Sequence, residues 1–142
     1  MNIPNICLNM IVKNEEHVIK ETLANILSYI SLSYYVISDT GSTDNTVKVI
    51  KDFFDSKKIK GEIYNDEWKN FGYNRSLALK YAYKKSKYIL IFDADDKIVG
   101  KFSMLKNLTL DAYHFKFGSG VTYKRLLLVN NQLKWEFIGL LY

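Results

Sequence analysis

Apolar residues fall in short blocks along this chain, and the spacing inside the blocks alternates between two kinds. Ile6-Cys7-Leu8-Asn9-Met10-Ile11-Val12 is nearly continuous, the pattern of a strand covered on both faces. Lys13-Asn14-Glu15-Glu16 ends it and opens a helix, with Asn14 as the expected N-cap and the glutamates at the positive end of the dipole. Val18, Ile19, Leu23, Ile26, Leu27 and Ile30 then recur at helical spacing. Tyr34 to Ser38 reads as a second strand. Asp39 to Asp44 reads as a turn in which Gly41 is free to take positive φ. Val47, Ile50, Phe53 and Phe54 mark the buried face of the next helix, and Gly61 to Tyr64 a weaker third strand. A polar loop around Trp68 leads to a helix from Phe71, with Leu77, Ala78, Tyr81 and Ala82 facing inward. Tyr88 to Phe92 is a fourth strand, apolar throughout, that runs straight into Asp93, Asp95 and Asp96. Strands and helices in strict alternation imply a mainly parallel sheet with right-handed crossovers, an α/β fold.

Beyond Asp96 the alternation stops. Residues 101–108 read as a short helix, and Asp111 to Phe117, Tyr123 to Val129 and Lys134 to Ile138 as strands. Asn130-Asn131 reads as a hairpin-type turn and Gly118-Ser119-Gly120 as a flexible break. With 142 residues and no internal repeat or linker, one domain is expected over 1–142, its first hundred residues forming the main sheet.

Composition narrows the class. A hydrophobic share of 48% against 25% charged residues suits a packed core. The single cysteine, Cys7, lies in an apolar run and cannot form an internal disulfide, so a buried thiol in a reducing, cytoplasmic compartment is expected. Neither a signal segment nor an apolar run of membrane-spanning length is visible. A net charge of +5 favours an anionic ligand. The densest basic stretch, Lys80 to Lys87, falls late in a helix, where cations complement the dipole. With no nucleic-acid motif beside it, nucleic acid is not an expected partner.

The candidate chemistry sits at strand ends, where open α/β sheets bind ligands. Asp93 and Asp95 are two apart and share a side in an extended segment. Carboxylates held together repel unless a cation or proton lies between them, and oxygen ligands suit Mg²⁺ or Mn²⁺. A solvated acidic turn is the plainer reading of the same residues. Asp39 is placed to accept from a base N–H. Arg75 and the helix start at Phe71 to Asn74 add positive potential for a diphosphate.

Four stretches together resemble the family 2 glycosyltransferases, which have the GT-A fold. They are Ile11-Val12-Lys13-Asn14-Glu15-Glu16, Asp39-Thr40-Gly41-Ser42-Thr43-Asp44-Asn45-Thr46, Trp68-Lys69-Asn70-Phe71-Gly72-Tyr73-Asn74-Arg75-Ser76 and Asp93-Ala94-Asp95-Asp96. The resemblance implies a three-layer α/β/α domain that transfers a sugar, with inversion, from a nucleoside-diphosphate donor, UDP-sugar first, using Mn²⁺ or Mg²⁺. By that likeness Ile11, Val12 and Lys13 line the nucleotide pocket, Asp39 contacts the base and Arg75 is a basic donor contact. Asp93-Ala94-Asp95 is then the family's Asp-x-Asp motif, with Asp95 the metal ligand, Asp93 beside it at ribose or metal, and Asp96 an alternative ligand. Residues 101–142 would begin the acceptor-side part.

Towards the end, Arg125, Trp135 and Gly139 fit the family's segment in which a His-Glu pair follows, but Tyr142 stands where the His would be. A phenol is a poor substitute for an imidazole ligand. No residue answers the family's general base, which must lie near the acceptor hydroxyl, and the acceptor is left open among sugar, protein and lipid. Two rivals remain. One is a non-catalytic nucleotide-sugar-binding protein on the same scaffold; a homo-oligomer is left open for the transferase reading. The other is a dimeric aspartic protease, whose signature Asp39-Thr40-Gly41-Ser42 also spells. Against the protease, the pattern after Ser42 is helical.

Overall fold

The computed structural model describes residues 6–99, 110–117 and 123–136, with backbone alone for 114–117 and 123–127. The elements are β1 (Ile6–Val12), α1 (Ile19–Tyr29), β2 (Tyr34–Asp39), α2 (Thr46–Ser56), β3 (Lys60–Asn65), α3 (Phe71–Ala82), β4 (Tyr88–Ile91), β5 (Ala112–Phe117) and β6 (Tyr123–Asn130). They form a six-stranded sheet in the order β3-β2-β1-β4-β6-β5. β1 to β4 pair in parallel, whereas β6 joins β4, and β5 joins β6, antiparallel. The fold is thus α/β with a mainly parallel sheet and a short antiparallel part, as the alternation implies.

Topology sets the layers. Right-handed crossovers from β1 to β2 and from β2 to β3 step in one direction, so α1 and α2 share a face and pack on each other. The crossover from β3 back to β4 runs the other way, so α3 lies on the opposite face, across β1 and β2. Burial follows the apolar pattern. Leu8, Met10, Ile19, Leu23, Ile26, Val36, Ile37, Ile50, Phe54, Ile89 and Leu90 belong to one core cluster. Gly61 has a packing reason: a Cβ there would stand 2.2 Å from the ring of Tyr35, which stacks on Phe54 at 4.1 Å between centroids. Cys7 is buried, and burial pushes its thiol up to about 12, so it packs as a small hydrophobe.

Three local expectations give way. Asn14 does not cap α1. It takes φ +53°, a region asparagine tolerates, and the helical ladder starts at the Glu15 carbonyl, which accepts from Ile19 N at 2.8 Å. The Asn14 side chain instead serves the neighbouring loop. The buried stripe of α3 is Asn74, Arg75, Ala78, Leu79 and Ala82, with Leu77 and Tyr81 only half-buried on its flank. Two of the five are polar because this helix organises loops as well as covering the sheet. The described residues that follow Asn130-Asn131, 132–136, are not in a strand. Asn131 is drawn inward instead, its N–H donating to Lys87 O and its Nδ2 to Ala82 O, both at 2.7 Å. The helix expected over 101–108, the break at 118–120 and the end of the last expected strand lie outside the described residues.

The outer edge of the parallel part is tied by Glu62 on β3. Its carboxylate accepts from Tyr34 Oη at 2.5 Å and from Tyr64 Oη and Lys85 Nζ. Partial burial pushes this carboxyl up, but the hydrogen bonds from Lys85, Tyr34 and Tyr64 outweigh it and bring it down to about 2. Among the described residues no helix is long and apolar enough to cross a membrane.

Candidate nucleotide-binding rim

Four parallel strands deliver four loops to one edge of the sheet. The strand order reverses beside the β1–β4 pair, and ligands bind in such crevices. Val12 pairs in register with Asp39 and Ile11 with Ser38, so Ile11, Val12, Lys13 and Asp39 are neighbours at this edge. Asp39 is only 4% exposed. Its Oδ2 accepts from the N–H groups of Gly41 (3.2 Å) and Ser42 (3.0 Å), and its Oδ1 from the Ser42 hydroxyl (2.5 Å). The turn closes on itself this way because Gly41 takes φ +112°. Lys13 lies over it, its Cε 3.9 Å from where a Gly41 Cβ would be.

The loop after β1 is knitted to the loop after β2. Asn14 N donates to Ser42 Oγ (2.8 Å), Glu15 N to Thr46 Oγ1 (2.9 Å) and Glu16 N to Asp44 Oδ2 (3.3 Å). In return Asn14 Oδ1 accepts from Thr43 N at 2.8 Å. Glu15 sits in the join. Burial raises its carboxyl above the usual range, and the negative charges of Asp95 and Asp44 add to the rise against the pull of His17. The turn carrying Asp95 therefore lies within electrostatic reach of this loop pair.

At the end of β4 the alternation argument for Asp93 and Asp95 fails, because the chain turns. Asp96 N donates back to Asp93 O at 3.2 Å. Asp93 accepts from Arg75 Nη2 at 2.5 Å. The Arg75 side chain is 1% exposed, that of Asp93 32%. The Phe71 ring covers the guanidinium at 5.5 Å. Ala94 is buried and its carbonyl accepts from the Thr22 hydroxyl at 2.6 Å. Asn25 clamps Ile98 by two bonds, Ile98 N to Oδ1 (2.7 Å) and Nδ2 to Ile98 O (2.9 Å). Between these two anchors on α1, Asp95 is held out to solvent and Asp96 is half-buried. Thr22 and Asn25 carry no chemistry-bearing motif, so nothing in the sequence flags them.

The loop before α3 completes the rim. Asp66 N donates to Asp39 O at 2.8 Å. Buried Asn74 gathers the loop: its Oδ1 accepts from Lys69 N (2.9 Å) and Asn70 N (3.3 Å), and its Nδ2 donates to Glu67 O (3.1 Å). Asn70 caps the helix by accepting from Tyr73 N at 2.8 Å. The structure thus brings Ile11, Val12, Lys13, Asp39, Arg75, Asp93, Ala94, Asp95 and Asp96 to one end of the sheet. Arg75 is buried and reaches the rim through its bond to Asp93. Arg125 lies in β6 opposite Phe115. Trp135 is half-buried, with its indole N–H on Asn130 O at the end of the sheet where β4 begins. Gly139 and Tyr142 lie outside the described residues.

Among the described residues no three His, Cys, Asp or Glu side chains gather to hold a metal unaided. One exposed carboxylate beside a crowd of negative charge nevertheless fits Mg²⁺ or Mn²⁺ chemistry, in which one or two carboxylates share the ion with water and substrate phosphates. The aspartic-protease signature is set here between a parallel strand and α2, not in β structure.

The family profile described as glycosyl transferase family 2 matches residues 7–102. Over 94 residues the chain is 36% identical to the SPbeta prophage-derived glycosyltransferase SunS of Bacillus subtilis (strain 168), covering 66% of this chain and 20% of that protein. The glycosyltransferase SunS of Bacillus phage SPbeta matches equally. The chain therefore spans about a fifth of the length of these curated relatives. Among solved structures, TarS 1–349 of S. aureus superposes with a TM-score of 0.55 at 22% identity, covering 66% of this chain and 28% of that one. The mannosyltransferase PcManGT of Pyrobaculum calidifontis, solved with GDP-Man and Mn²⁺, gives 0.55 at 22% identity, covering 67% and 28%. At that identity these likenesses speak for the GT-A fold alone. The family match covers more than half of the sequence and all four rim loops: the chain belongs to glycosyltransferase family 2.

Proposed function

We propose that this chain binds a nucleoside-diphosphate sugar, UDP-sugar first, and transfers the sugar with inversion, aided by a divalent cation. The observation that carries the reading is the arrival of Asp39 and Asp95 at one end of the sheet, one carboxylate enclosed and one open. An ionised carboxylate offers roughly four acceptor sites. Three at Asp39 are filled by its own turn, which leaves one for a base N–H between Ile11, Val12 and Lys13. Asp95 is the proposed metal ligand, with Asp93 or Asp96 beside it. The cation, when bound, offsets charge building on the leaving diphosphate. Arg75 works at one remove: it fixes Asp93 from beneath, and the Phe71 ring lies over its guanidinium. Donor support comes from relatives in structure, since TarS 1–349 has been solved with UDP and with UDP-GlcNAc and PcManGT with GDP-Man. Residues 1–100 are the proposed donor half and 101–142 the start of the acceptor side.

The test is a panel of UDP- and GDP-sugars incubated with the protein and Mn²⁺, with release of the nucleoside diphosphate as the readout. Release from a UDP-sugar, lost with EDTA and in Asp95→Ala, is the expected result. Binding of donor without release leaves the non-catalytic rival standing, and no binding of any donor removes the proposal.

A further inference from the structure

A cleft of about 700 Å³ runs along the flank of α3 that faces β4, between that helix and residues 131–136. It is separate from the rim, although its upper end reaches Tyr73 near the start of α3. Leu77 and Tyr83 line one wall, Leu133 and Trp135 the other. Leu133, on that wall, is 42% exposed. Two features say what it would take. Asn131 lines the cleft, and its buried Oδ1 has no hydrogen-bond partner, while its Nδ2 is fully used by Ala82 O and Ser86 Oγ. A dry acceptor next to a hollow is satisfied by an N–H arriving with a ligand. Lys80 and Lys134, both exposed, stand at the mouth against the single carboxylate of Glu136.

We propose that this cleft docks an apolar polypeptide segment flanked by acidic residues. A glycan or nucleotide brings many polar groups, and the mostly aliphatic and aromatic walls would leave them unpaired. A peptide brings apolar side chains, backbone N–H groups for Asn131 and carboxylates for the two lysines. From Tyr73 to Tyr83 the helix rises roughly 15 Å, the reach of about five extended residues.

The test uses the full chain and a fluorescein-labelled, capped heptapeptide, Glu-Glu-Leu-Trp-Leu-Glu-Glu, followed by anisotropy. A version with lysines replacing the glutamates and an unlabelled linear oligoglucoside serve as competitors. The acidic peptide should bind below about 1 mM. Leu77→Asp should weaken it about tenfold or more, and the double variant Lys80→Glu, Lys134→Glu should reverse the preference between the acidic and basic peptides. Both lysines are exposed, so that variant folds even if Leu77→Asp does not. The proposal is overturned by no binding at that concentration, by equal competition from the oligoglucoside, or by a double variant with unchanged preference. It is overturned equally by binding only after residues 137–142 are deleted, which would assign the cleft to the chain itself, or by self-association that Leu77→Asp abolishes.

Discussion

Asp39 and Asp93 end neighbouring parts of the same parallel sheet, yet they are held by opposite means. Asp39 is fixed by the next three residues, through the N–H groups of Gly41 and Ser42 and the Ser42 hydroxyl. Asp93 is fixed by Arg75, 18 residues earlier and in the helix layer on the other side of the sheet. The first device survives any change that leaves the turn intact. The second needs α3 docked, Phe71 in place and the loop around Asn74 closed. The Asp39 end of the rim is therefore built locally, and the Asp93 end is built by the tertiary fold.

The largest expected effect comes from breaking the long-range device. Arg75→Met should cost about 2–3 kcal/mol in urea unfolding, less than a fully buried ion pair because water reaches Asp93. Paired with Asp93→Asn, the losses should be clearly non-additive; simple additivity would mean the two side chains do not act as a unit. Gly41→Ala strikes the local device. The space there is ordinary, but φ +112° strains any L side chain, so about 1–2 kcal/mol should be lost together with affinity for UDP. Unchanged unfolding in Gly41→Ala would show that the turn relaxes freely and does not hold Asp39.

A third probe uses a site away from both. Glu62 has its carboxyl lowered from 4.5 to about 2, its hydrogen bonds from Lys85, Tyr34 and Tyr64 overcoming the cost of partial burial. The sign follows: its stabilising contribution is complete above pH 4.5 and disappears as pH falls towards 2. Allowing for solvent at this partly exposed pair, about 1 kcal/mol should be lost over that window. Glu62→Gln should flatten that part of the stability–pH curve. If the curve keeps its shape in the variant, the acid sensitivity lies in the rim carboxylates instead.

What was legible in the sequence divides along the same line. Strand ends, the Gly41 turn and the order of the parallel part follow from apolar runs, helical spacing and one glycine, all short-range signals. The family likeness of the four loops points to Asp39, Arg75, Asp93 and Asp95 together, and they lie at one end of the sheet. What escaped depends on partners far along the chain. Asn14 left its expected cap to serve the Ser42–Asp44 loop, and Thr22 and Asn25 tether the acidic turn to α1. The helix start and the family likeness put Arg75 on the donor side. Its burial beneath Phe71 depends on how α3 seats on the sheet, which no spacing encodes. The alternation rule for Asp93 and Asp95 failed for a plain reason: β4 ends at Ile91, before either of them.

The central claim is that an enclosed Asp39 and an open Asp95 grip the two ends of one nucleotide. It is tested most directly by calorimetric titration of UDP, with and without Mn²⁺, into the chain and into Asp95→Ala and Asp39→Asn. Asp95→Ala should erase the gain from Mn²⁺ and keep the weak metal-free binding, while Asp39→Asn should lower affinity by about tenfold or more with and without the ion. Mn²⁺-dependent binding that survives Asp95→Ala unchanged would contradict the account.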